Sequence, residues 1–164
     1  MIELLIVMAI LGVLAVVVLV AINPVQQLAR TRDAGRKSAI TQMGHALEAY
    51  YTSHGATYVA EGATWVATLQ TAGELSTVPS AITCSVTGCG ACTTNAQNGW
   101  CYNATTAAGG EPAVAYTRLE SASEVSKCAA GNAYFIWSTA DGRGGLVCGA
   151  AEPAPGTQTW NATQ

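Results

Sequence analysis

The hydrophobic pattern divides this chain into two unlike parts. From Leu4 to Ile22 every residue is apolar or glycine, and Glu3 stands immediately before the run. At about 1.5 Å per residue a helix over this stretch spans roughly 30 Å, the thickness of a bilayer's hydrocarbon core. Beyond it, Ile40, Met43, Leu47, Tyr50 or Tyr51, and His54 recur at three- and four-residue intervals among polar residues. That period predicts an amphipathic continuation of the same helix, ended by Gly55 at a left-handed position. The expectation is one helix of about fifty residues, roughly 75 Å long. Asn23-Pro24 should kink or locally melt it, because proline removes a donor and crowds the preceding turn.

After Gly55 the period changes. Residues 64–72 suit a short helix with Trp65 and Leu69 on one face, and 84–101 read as loop. Three stretches predict strands: 113–119, 133–139 and 145–148. Asp141-Gly142 and Gly144-Gly145 between the last two suit a hairpin. The tail, 152–164, lacks a core pattern and is expected to be mobile or laid against a neighbour. The fold class is therefore α+β: a long N-terminal α-helix, apolar then amphipathic, packed on a small antiparallel sheet. Its parts are 1–24, an apolar membrane or filament-core segment; 25–55, the amphipathic half; 56–151, a globular head; and 152–164, the tail.

Composition sharpens this picture. Only 10% of the residues are charged, against roughly 25% in an ordinary soluble domain. Such a surface suits a subunit covered by neighbours or by sugar. The net charge of −3 argues against a nucleic-acid partner. Six cysteines, Cys84, Cys89, Cys92, Cys101, Cys128 and Cys148, lie in the second half. An even set behind an apolar helix predicts disulfides in an oxidising compartment, Cys128 with Cys148 and the first four among themselves. A zinc reading rests on one C-x-x-C, Cys89 to Cys92, and lacks a second.

The run itself reads as retained rather than as a cleaved signal: no basic residue precedes it, it is long, and no A-x-A follows. Arg30, Arg32, Arg36 and Lys37 behind it would draw this end to the cytoplasm, whereas the cysteines place the head outside; the cysteines carry more weight. Asp33, three and four residues before Arg36 and Lys37, neutralises part of the basic cluster.

The stretch from Ile2 to Ala15 (IELLIVMAILGVLA) closely resembles the start of type IV pilins and pseudopilins, with an acid, an unbroken apolar run and a glycine, Gly12, at the family's spacing. The basic segment 29–38 and the helix to Tyr51 are also similar; the remainder agrees in outline. The resemblance implies a filament subunit that waits in the inner membrane, is processed by a prepilin peptidase, and is stacked by an assembly machine into an extracellular fimbrium serving adhesion or motility. It also implies that Glu3 pairs with the methylated N-terminal amine of a neighbouring copy, and that Met1, Glu3, Gly12 and Pro24 take part in assembly. Two departures stand out. The family's mature chains carry an aromatic and a small polar residue ahead of the position of Met1, and Pro24 lies further from Gly12 than the family's proline does. The alternatives are a type II secretion pseudopilin and a minor or membrane-anchored adhesive or DNA-binding subunit.

Asn103-Ala-Thr105 and Asn161-Ala-Thr163 are glycosylation sequons. Asp141 in its glycine-rich turn is one acid, far short of a calcium shell. No phosphate loop and no nucleophile signature is visible, so neither enzyme activity nor a cofactor or metal is expected.

Overall fold

In the computed structural model the described residues are 2–84, 92–93 and 95–161. Met1 and Cys89 lie outside them. The apolar run forms α1, Ile2–Ile22, and the amphipathic half forms α2, Pro24–Ser53. The long helix is thus two helices. Asn23 adopts a left-handed conformation (φ 46°, ψ 76°) and its carbonyl and side chain both accept from the Gln26 N–H. Asparagine tolerates that conformation better than most residues. Pro24 occupies the first turn of the new helix, where its missing N–H costs nothing. The expected kink is therefore a restart with its own cap.

The end of α2 is closed as its glycine predicts. His54 N–H donates to Tyr50 O, Ala56 N–H donates to Tyr51 O, and Gly55 has φ +67°. This is the Schellman pattern, which satisfies carbonyls that the helix leaves over.

The head follows as α3 (Trp65–Thr71), β1 (Ala96–Gln97), β2 (Trp100–Ala104), β3 (Ala113–Arg118), α4 (Ala122–Val125), β4 (Asn132–Ser138) and β5 (Arg143–Gly149). The five strands make an antiparallel meander in sequence order. The β4–β5 hairpin pairs Ser138 with Arg143 and turns through Gly142 at φ +61°. The part of the cysteine stretch read as loop contains a hairpin: Gln97 pairs with Trp100 around Asn98 (φ 55°) and Gly99 (φ 85°). Two successive positive φ values at Asn-Gly are the two-residue turn whose twist matches antiparallel strands.

Both faces of the sheet are covered. One packs on α2 and α3, joining Ile40, Met43, Leu47, Trp65 and Leu69 to Tyr102, Ala115 and Trp137. The other buries Val114, Tyr116, Ile136 and Val147 under Trp160 of the tail. Trp160 forms a bridge with Val147, and Asn161 N–H donates to Leu146 O. The tail, expected to be mobile or to lie on a neighbour, is held as far as Asn161 against its own sheet. On α2, Ile40, Met43 and Leu47 are fully buried and Tyr50 and Tyr51 half-buried, whereas His54 is exposed and stacks on Tyr50 at 3.8 Å.

Candidate functional site

Three features of the molecule bear on function: an apolar helix with nothing against it, a polar clasp that joins α2 to the head, and a set of cross-links.

No described side chain of α1 is buried. Leu4, Leu5, Ile6 and Val7 are 66%, 71%, 53% and 54% exposed, and successive residues of a helix point about 100° apart around its axis. A surface helix of a globular protein shows one apolar stripe; this one is apolar on every side, which water does not tolerate over such an area. The helix is long and apolar enough to cross a membrane. Within a bilayer a Val- and Ile-rich stretch of this kind would be helical, since only a helix satisfies its own backbone groups there. Glu3 lies in the first turn and is exposed, where the helix dipole favours an acid. Gly12 is open: an added Cβ would meet nothing within 4 Å.

The clasp uses most of the basic cluster. Arg36 is 4% exposed and donates to Asp33 Oδ1 at 2.6 Å, to Glu120 Oε1 at 3.2 Å, to Thr83 O at 2.8 Å and to Cys84 Sγ at 3.4 Å. Asp33, 2% exposed, also accepts the backbone N–H groups of Glu120 and Ser121. Arg32 donates to Glu120 as well. Every charge in this buried group is matched by an opposite charge and further hydrogen bonds, which buried ions require. One turn on, Lys37 pairs with Glu124 at 2.8 Å, and Lys127 joins the same carboxylate. Burial alone would raise the Glu124 pKa; the two ammonium groups override it and hold the carboxyl below its ordinary value. Asp33 thus neutralises Arg36, as its spacing suggests, while Lys37 turns to the head. The partners Glu120 and Glu124 were not singled out from sequence. Their only signal was two acids in a chain with few.

Of the cross-links, Cys128 is bonded to Cys148 and Cys92 to Cys101. Cys84 is also in a disulfide. Cys92 is therefore bonded to another cysteine rather than holding a metal with Cys89. The first bridge ties the α4 connection to β5; the second ties the segment before β1 to β2.

The sequon asparagines are occupied. Asn103 lies in β2, and its amide donates to Tyr116 Oη and Pro153 O. The Asn161 amide donates to Lys127 O and to Cys148 Sγ. A glycan at either nitrogen requires breaking those bonds. Pro24 sits at the helix restart, some twenty residues of helix from Glu3 (roughly 30 Å at about 1.5 Å per residue), so the structure does not bring Glu3, Gly12 and Pro24 together within one chain.

In comparisons with known proteins the chain matches no protein-family model, no curated protein and no solved structure.

Proposed function

We propose that this chain is a structural subunit of a type IV pilin-like filament, held in a membrane by α1 before assembly and packed through α1 against other copies afterwards. The observation that carries the reading is the 21-residue helix α1, apolar and exposed on every side, with a glutamate in its first turn. Lipid alone accounts for the apolar surface, but a carboxylate in such a stretch is costly without a partner and marks a functional position. A bundle of like helices covers the apolar surface and supplies that partner. The rest of the molecule suits the role: a head clamped to α2 by buried ions, cross-linked by disulfides and poor in charge. The inner membrane, the cell surface, an assembly machinery and a processing peptidase belong to this proposal.

The test is electron microscopy of material sheared from cells that produce the chain, with mass spectrometry of the filaments. The expected result is helical fibres in which this chain is the repeating unit. Recovery only from the envelope fraction, never as fibre, would overturn the extracellular filament in favour of a periplasmic pseudopilus or a plain anchor.

A further inference from the structure

Seven Lys and Arg residues occur in the chain, and six of them are engaged. Arg32 and Arg36 pair with Glu120, Lys37 and Lys127 pair with Glu124, Arg143 lies 4.3 Å over the Trp160 ring, and Arg118 also has a partner. Arg30 is exposed and has no ion pair, hydrogen bond or ring contact among the described residues. Glu3 is its counterpart, an exposed carboxylate with none either. The two cannot meet within one chain, because roughly 40 Å of helix separates them at about 1.5 Å per residue.

The surface beyond Arg30 is what an apolar helix needs. The exposed residues of α2 from Thr31 to Leu47 are Thr31, Ala34, Gly35, Ser38, Gln42 and His45. None is Asp, Glu, Lys or Arg, and the four nearest Arg30 are small. An added Cβ on Gly35 would meet nothing within 4 Å. Small side chains let two helix backbones approach closely.

We propose that the occupant of this face is α1 of a second copy of the chain, parallel and displaced by roughly 40 Å along the helix axis, so that Glu3 of one copy pairs with Arg30 of the other. In that register Leu4–Val20 of the first copy run beside Thr31–Leu47 of the second. Apolar residues meet a charge-free face, and the two unmatched charges meet each other. An offset different by a turn or more takes Glu3 out of reach of Arg30, so the pair sets register rather than adding much stability. The inference rests on the filament reading and names the contact that defines it.

Charge reversal tests it in cells that assemble the wild-type chain. Glu3→Lys and Arg30→Glu are each expected to lower sheared filament yield at least about tenfold, with unchanged amounts of chain in the membrane. The double reversal is expected to recover at least about a third of the wild-type yield. Normal filaments from Arg30→Glu overturn the proposal and leave the neighbouring terminal amine as the partner of Glu3. A double reversal no better than Glu3→Lys alone overturns it too, as does loss of membrane-held Arg30→Glu, which makes Arg30 a lipid-headgroup contact. A second measurement avoids reversal altogether. In filaments of the Arg30→Lys variant, a zero-length carbodiimide is expected to join the peptide containing Glu3 to the one containing residue 30, and to give no such product in detergent-dispersed monomer. Filaments without that cross-link overturn the register. Absence of filaments from the wild-type chain is a different result, since it overturns the filament reading itself.

Discussion

At the scale of single residues, the buried polar groups make the sharpest claims. Arg36 and Asp33 satisfy each other and three backbone groups of the head. Removing Asp33 leaves two cations, the buried Arg36 and the partly buried Arg32, sharing the single carboxylate of Glu120, and takes the acceptor from the Glu120 and Ser121 backbone N–H groups. Asp33→Ala is therefore expected to cost about 3–5 kcal/mol, measured by chemical denaturation of the full chain in detergent. Exchange of Asp33 and Arg36 together for apolar residues of similar size should cost much less. Thr117 is the opposite case. Its hydroxyl is buried and has no hydrogen-bond partner among the described residues, so it gives up its hydration without a replacement there. Thr117→Val keeps the shape and is expected to raise stability by about 1 kcal/mol in the same assay. Gly44 is a third position with a definite sign. A Cβ there would overlap the Trp137 ring, which packs on α2 at this point. Gly44→Ala is expected to destabilise by about 1–3 kcal/mol through overpacking, despite alanine's better helix propensity.

At the scale of elements, legibility followed how local each signal is. Helix α2 was readable because Ile40, Met43 and Leu47 share one face, and its end was readable because Gly55 permits a left-handed cap. The α3 helix and strands β3, β4 and β5 appeared within a residue or two of their expected bounds. The β1–β2 hairpin was missed although Asn98-Gly99 is a hairpin turn, because cysteines and glycines around it suggested loop, and β1 has only two residues. The tail was missed for a different reason. Its hold on the sheet comes from scattered single contacts, among them Trp160 over Val147, Asn161 N–H to Leu146 O, and Glu152, which accepts from Thr93 and from Tyr116 Oη. No periodicity announces a contact made by single side chains. The clasp was half legible: Asp33 and Arg36 sit three apart on a helix, but Glu120 arrives from the β3–β4 connection through tertiary folding alone. The disulfides belong to this scale as well. Each closes a short loop, with sequence separations of 9 and 20, and opening either is expected to cost about 3 kcal/mol. Alkylation of the unreduced full chain should modify no thiol, and reduction should lower the denaturation midpoint.

At the scale of the whole molecule, the few charges are spent on joining parts rather than on solubility, and this shapes the response to pH. On the alkaline side the controlling groups are tyrosines. Burial pushes the Tyr58 phenol up to about 12, and the same cause raises Tyr102 and Tyr116. A pKa raised by folding means that the native state holds its proton more tightly than the unfolded chain. The associated stability is present in full below the ordinary tyrosine value of 10.0 and is lost as pH climbs from there towards the native value. On the acid side Glu124 has the reverse sign. Its native pKa is lowered, so its contribution is intact above the ordinary value of 4.5 and is lost as pH falls through the lowered native value. That loss is small, a few tenths to about 1 kcal/mol, since the ion pairs are partly solvated. The full chain is therefore expected to show a broad stability plateau between these limits and to lose stability more steeply on the alkaline side. Tyr102 ties the sheet to the segment before α3 by donating to Val59 O, and Tyr116 donates to Glu152 of the tail. Ionising them removes donors as well as placing charge in the core, so tail release and tyrosinate formation should coincide. Tyrosinate absorbance and tryptophan fluorescence, followed together above pH 10, measure both events. Phenols that ionise freely at the ordinary value, with Trp160 emission unchanged, would show that the tail does not depend on this contact.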